Sequence, residues 1–325
     1  MKQHGRINLE NVAIINDPGI GNLQRGQIAF ANTDRFSAGN YDVPLTAHLA
    51  SYEDPEDLWE HLERMIPSVG VSRRFNFKKH DKASAFLTEV DATRAIGTKF
   101  KQVELLGDDV DTRTQNKGLT MTIDKEEMDV PGIEELRTRY LSQRLARNEI
   151  AEFIRLLDAA ASNSGLTWSV GAVDPDLDIY GVLSTAQKAD GIWKNTALYG
   201  EDAWLLRRQA CRRQATAGAI ASALGTASIV ASDLRVRDLI VEDKVNRTSK
   251  TSKARLVGSV IYLYYTWTGS DKDDPSDFKR FWSSARGNKL GVYRKEHDTG
   301  VDISVEHYSL TLATSGLSTL KRTIN

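Results

Sequence analysis

Residues 131–165, PGIEELRTRYLSQRLARNEIAEFIRLLDAAASNSG, carry one long amphipathic helix signal that follows a polar, alternating stretch with almost no core of its own. Leu136, Tyr140, Leu141, Leu145, Ile150, Phe153, Ile154, Leu157 and Ala160 fall on one broad stripe, while Glu134, Arg137, Arg144, Arg147, Glu152 and Arg155 cover the rest. Pro131 suits the first turn, Glu134 and Glu135 its positive end, and Asn163, Ser164 and Gly165 a stop. Such a rod spans roughly 45 Å, long for an ordinary globular domain. A poorly cored hairpin, then a rod, then a compact mixed region predicts a subunit whose outlying parts are stabilised by its neighbours.

The chain has 325 residues, 40% of them apolar, enough for one large or two medium domains with a buried core. Its formal net charge is −1, with both signs interspersed, which excludes a polycation that wraps nucleic acid by charge neutralisation. The single cysteine, Cys211, permits no intramolecular disulfide and no cysteine-based metal site, as suits a reducing cytoplasm. No stretch reads as a signal peptide or a membrane span.

Residues 1 to about 50 are rich in Asn, Gly and Asp and read as an extended arm with little helix. Asp54, Pro55 and Glu56 open a short helix lined by Leu58, Trp59, Leu62 and Met65 and ended by Pro67. From 71 to 128 the pattern alternates: Phe75 and Phe77 with Arg74, Asn76 and Lys78, and Leu119, Met121 and Ile123 with Thr120, Thr122 and Asp124. Turn signals lie at 107–109 and 116–118. An isolated hairpin of this kind is marginal in water, so its own body or a neighbour must cover it.

Beyond the rod, Asp174, Pro175 and Asp176 start a helix through Ala186, 196–199 reads as a strand, and Gly200, Glu201 and Asp202 open a helix with Trp204, Leu205 and Leu206. The basic pairs Arg207-Arg208 and Arg212-Arg213 on that helix read as a solvated or intersubunit face, with phosphate contact the alternative. Strands are expected at 236–241, 256–267, 301–312 and 317–324.

Catalytic motifs fail on inspection. Asp298-Thr299-Gly300 matches the aspartic-protease tripeptide, but polar residues precede it, so a turn between strands is the better reading. The glycines of 21–26 lack the lysine of a phosphate loop, with Gln27 in its place. Asp271, Asp273 and Asp274 resemble the start of a calcium loop, but Pro275 breaks the ligand alternation and Trp282 stands where the closing glutamate belongs, which leaves a solvated acidic loop. Ser276 with Lys279 and Ser318 with Lys321 match a serine–lysine pattern without its companion motifs. The histidines His4, His48, His61, His80, His297 and His307 are scattered. No catalytic, cofactor-binding or metal site is expected.

Asn116-Lys117-Gly118-Leu119, Asp124-Lys125-Glu126-Glu127, Leu136-Arg137-Thr138-Arg139, Arg147-Asn148-Glu149 and Leu157-Asp158-Ala159-Ala160-Ala161-Ser162-Asn163, closing on Thr167-Trp168, follow one another from hairpin through rod. In these residues the stretch resembles a tailed-bacteriophage major capsid protein of the Hong Kong 97 fold. Val173-Asp174-Pro175-Asp176-Leu177-Asp178, the run from Thr196-Ala197-Leu198-Tyr199 to Ala203-Trp204, and the closing strand before Ile324 extend it.

The resemblance implies an α+β fold with an N-terminal arm (1–70), an E-loop hairpin (71–128), a P-domain with a long spine helix (129–179 and 301–325) and an A-domain (180–300). It implies a non-enzymatic head protein assembling as hexamers and pentamers into an icosahedral shell around double-stranded DNA held without sequence specificity, built in the host cytoplasm and resident in the virion. Separate scaffold, portal and decoration proteins are the further partners; no membrane is involved. An encapsulin-like compartment is the alternative within the fold, and a soluble hydrolase the alternative outside it.

Little precedes the arm, so no maturation cleavage is expected. The last two strands hold no Asn before Asn325, so a non-covalent shell is expected. Arg73, Arg74, Lys78 and Lys79 on the E-loop are the expected subunit-interface residues, facing acidic groups of a neighbour.

Overall fold

The computed structural model describes residues 38–80, 93, 99, 107–169, 173–214, 223–247, 251–267, 271–284 and 287–325. The arm 1–37, with its glycine loop at 21–26, and nearly all of the hairpin's distal part 81–106 lie outside the described residues.

The rod is α3, Ile133–Ala160, 28 residues long. It starts after Gly132, which takes a left-handed φ of 76°, and ends where the Ala161 N–H bonds the Leu157 carbonyl. Leu141, Leu145, Ile150, Phe153, Ile154 and Leu157 are buried as the spacing predicts. Leu136 and Tyr140 are not: they stand 56% and 46% exposed, because the helix turns Thr138, Leu141 and Ser142 inward and so carries those two to its far side. The expected stop at 163–165 is instead the strand β5 (Ser162–Leu166).

Among the described residues two α-helices precede the rod. α1 (Val43–Ser51) is capped by Asp42, whose carboxylate accepts the Leu45 N–H at 2.8 Å. In α2 (Leu58–Met65), Asp54 accepts the Leu58 N–H at 3.3 Å. The helix at Val43–Ser51 departs from the expectation of little helix up to about residue 50, while the helix at Leu58–Met65 lies where one was expected. Leu45 and Leu49 pack with Leu141, Leu145 and Val292, and Leu58, Leu62 and Met65 pack with Ala146, Ile150 and Phe153.

Against the rod lies a first sheet of β1 (Ser68–Gly70), β4 (Gln115–Asp124), β11 (Phe278–Ser283), β12 (Gly291–His297) and the 14-residue β13 (Gly300–Ala313). β13 pairs with β12 and then β11 on one side, and with all of β4 on the other, from Gly300 opposite Asp124 to Ser309 opposite Gln115. Gly300 has no alternative, since a Cβ there would lie 2.0 Å from the Ile123 carbonyl oxygen. Asp298 and Thr299 form the β12–β13 turn, as read from the sequence.

The second sheet runs β5, β14 (Leu320–Ile324), β10 (Val260–Tyr264), β6 (Thr196–Gly200), β7 (Asp238–Glu242). It carries α4 (Pro175–Asp190), α5 (Glu201–Arg213) and α6 (Ala227–Asp233), and its core includes Trp168, Ile179, Leu183, Tyr199, Trp204 and Ile261. The grouping differs from the division 129–179 plus 301–325 against 180–300: β11 and β12 share a sheet with β13, and β14 shares one with β6, β7 and β10. The small pair β8 (Val245–Arg247) and β9 (Lys253–Arg255) stands apart.

Candidate assembly surface

The hairpin is built of β2 (Arg74–Lys79) and β3 (Asp108–Arg113), antiparallel, with Phe77 opposite Val110. Strand alternation sends Phe75 and Phe77 to one face, where their rings lie 4.6 and 5.3 Å from that of Phe281 on β11. Val69 and Leu312 complete this small satellite core. The root of the hairpin is therefore covered by its own body.

A clamp holds that root. Asp273 accepts the Lys78 N–H at 2.7 Å, and its carbonyl meets His80 Nε2 at 2.7 Å. Lys272 Nζ donates to the Asn76 carbonyl at 2.9 Å. The loop is held in turn by buried Lys279, whose Nζ donates to the carbonyls of Asp271, Lys272 and Asp274 at 3.2, 2.8 and 2.7 Å and pairs with the Asp274 carboxylate at 2.9 Å. Burial pushes the Lys279 pKa down, against the opposing pull of Asp274. The expected solvated acidic loop is thus corrected: it is a strap between body and hairpin, and Asp274 is buried.

The four interface residues read from the sequence do not form one basic patch. Arg73 lies over the Tyr308 ring at 4.1 Å. The register sets Lys78 opposite Asp109 and Lys79 opposite Asp108, so their charge is balanced within the hairpin. Arg74 stands opposite Arg113, a like-charged pair that sequence reading missed because the strand register was not visible in it.

Inside the body, Glu149 of α3 gathers three strands. It accepts from Lys117 of β4 at 2.6 Å, from Arg280 of β11 at 3.0 Å and from Ser309 of β13 at 3.0 Å, with His307 Nε2 at 3.3 Å. Burial raises its pKa, but the His307 hydrogen bond and then the charges of Lys117, His307 and Arg280 outweigh that and hold it well below the usual carboxylate range. Trp59 of α2 closes the site, edge-on to His307 and beneath Arg280.

The basic pairs on α5 split: Arg212 and Arg213 are exposed, as expected of a solvated face, whereas Arg207 is not. Arg207 is fully buried, donating to both carboxylate oxygens of Asp176 at 2.7 and 2.6 Å. Arg213 donates to the Trp168 carbonyl, and Arg208 Nε to that of Ala223 at 3.2 Å. Neither serine–lysine pair meets: Ser276 donates to Asp274, while Ser318 donates to Asp190 and Lys321 pairs with Asp158. Among the described residues no group of His, Cys, Asp and Glu is placed to hold a metal, and no helix is long and apolar enough to cross a membrane.

No family model and no curated protein matches the chain. Solved structures do. A phage-related protein from Bordetella bronchiseptica superposes with a TM-score of 0.63 at 17% identity, over 87% of this chain and 96% of that one. The chain has the Hong Kong 97-type fold. The capsid of cyanophage P-SCSP1u scores 0.48 at 8% identity (80% and 86% covered), and an encapsulin complex from Synechococcus elongatus 0.48 at 14% (83% and 87% covered). The fold assignment rests on the first of these, and it agrees with the capsid-protein resemblance of the sequence.

Proposed function

We propose that this chain is the major head protein of a tailed phage, assembling as hexamers and pentamers into an icosahedral shell around double-stranded DNA and residing in the virion. We take the sheet of β4, β11, β12 and β13 with the spine helix α3 as the P-domain, the sheet of β5, β6, β7, β10 and β14 with α4 to α6 as the A-domain, and the β2–β3 hairpin as the root of the E-loop. Its role is structural, not catalytic, and separate scaffold, portal and decoration proteins complete the particle in the host cytoplasm.

The observation that carries this reading is the fold shared with a phage-related protein over most of both chains. Large apolar side chains left bare beside the start of the spine helix, Val130 (54% exposed), Leu136 and Tyr140, support it, because exposed groups of this size in one region mark a contact surface. Many weak contacts of this kind sum in a closed shell.

Size-exclusion chromatography and negative-stain microscopy of the purified chain test it. Closed shells are the expected result, and a solitary monomer refutes it. Nuclease-protected DNA inside native particles is expected for a phage head, whereas protein cargo without DNA would make the particle an encapsulin-like compartment.

A further inference from the structure

The chain carries opposite charge on the two sides of β4. Just before it, exposed Arg113, the last residue of β3, faces exposed Arg74 of β2 across the β2–β3 ladder, and neither has a carboxylate partner among the described residues. Like charges set directly opposite one another destabilise a sheet unless an anion joins them. Asp111, two residues away on the same strand, is the acidic residue closest in sequence to Arg113.

Ten residues further along, roughly 30 Å at strand spacing, β4 ends at Asp124 and runs into an exposed acidic segment. There Glu127 is paired with Arg137 and Glu134 with Arg294, but Glu126, Asp129 and Glu135 have no basic partner among the described residues. Lys125 is the one basic residue within the run 124–129. Val130 and Leu136 lie exposed beside these carboxylates. Between the two ends, β4 pairs with β13, and no described strand pairs with its other backbone edge.

We propose that this surface is a head-to-tail contact between copies of the chain, the Arg74–Arg113 pair of one copy receiving the Glu126 and Asp129 carboxylates of the next. Opposite charge on the hairpin root before β4 and on the segment after it is the polarity a heterologous contact requires, and such contacts form rings where the rotation between copies closes. Guanidinium–carboxylate pairing fixes orientation as well as sign. The proposal rests on the shell reading above and adds to it the partner surface of the hairpin root.

The test compares particle yield of four full-length chains by sedimentation and negative stain: wild type, Arg74→Glu/Arg113→Glu, Arg74→Gln/Arg113→Gln, and the charge swap Arg74→Glu/Arg113→Glu/Glu126→Lys/Asp129→Lys. All four positions are exposed, and circular dichroism melting verifies that each subunit folds. The glutamate pair is expected to lower yield by about tenfold or more, the glutamine pair by less, and the swap to recover most of the loss. Wild-type yield from the glutamate pair overturns the contact while leaving the shell reading intact, as does a folded swap variant no better than the glutamate pair. Absence of particles from the wild type overturns the shell reading and this contact with it.

Discussion

Arg280 Nε donates to Glu149 Oε2 at 3.0 Å, with both side chains almost fully buried. The carboxylate lies between Arg280 and Lys117, which it shares with Glu152, and through Ser309 and His307 it also ties β13 to the spine helix. Removing the carboxylate leaves Arg280 charged and dry. Glu149→Gln is expected to destabilise the subunit by about 3–5 kcal/mol, read from urea unfolding of dissociated protein. Because Glu149 titrates below its unfolded value, its contribution is complete above about pH 4.5 and is lost as the pH falls through the lower folded value. A variant that shifts the acid limb of the stability curve by nothing measurable contradicts this account.

Asp277 behaves in the opposite sense. Its side chain is buried beneath the Tyr265 N–H and the Ser315 hydroxyl, with Lys194 Nζ 3.8 Å away. Burial pushes its carboxyl up to about 6 despite the Lys194 charge and these hydrogen bonds. Below the unfolded value of 3.8 both states hold the proton. Between there and about pH 6 the unfolded chain releases it first, so stability falls as pH rises, by up to about 3 kcal/mol at about 1.36 kcal/mol per pKa unit. Asp277→Asn, which stays neutral, is expected to flatten that fall between pH 4 and 7, and melting curves at several pH values measure it. An unchanged slope counts against a protonated Asp277.

Leu136 and Tyr140 lie on one exposed side of the spine helix, four residues apart. Replacing both with glutamate changes nothing in the core, so subunit stability is expected to move by less than about 0.5 kcal/mol for each. Particle yield is expected to fall, since charges would enter an apolar contact. Chemical melts of the free subunit and sedimentation of the assembly separate the two effects; loss of stability with unchanged assembly would mean that the residues serve the fold and not the contact.

The periodic parts of this fold were legible. The 3.6-residue spacing of Leu141, Leu145, Ile150, Phe153 and Leu157 gave the spine, and the alternation around Phe75 and Phe77 gave the hairpin, because both patterns are local. The stripe was too broad to say which part faces inward, which misplaced Leu136 and Tyr140. α1 carried a readable cap in Asp42 and Pro44, but the Asn- and Gly-rich context before it suggested an arm. Arg207 reads as solvent-facing in any local window, and its partner Asp176 is 31 residues away. The strap 271–274 looked solvated for the same reason: its contacts to Lys78 and His80 close over 195 and 193 residues. The Arg74–Arg113 pair needed strand register, which alternation alone does not fix.

Phe77 decides whether the hairpin root stays on the body. It is buried against Phe281 and Phe75 in a satellite core with few other members, apart from the main clusters. Phe77→Ala removes the more deeply buried of the two hairpin rings in that contact, a loss of about 3–5 kcal/mol when a buried phenylalanine cannot be replaced by collapse. The Asp273 strap and the β1–β11 pairing persist, so the effect is expected to be local opening of β2 and β3 and not unfolding of the spine. Limited proteolysis should then cut the hairpin many times faster than in wild type while the melting temperature of the body changes little. Equal cleavage rates would show that the strap alone holds the root, and a collapse of the whole melting transition would show that hairpin and body fold as one unit.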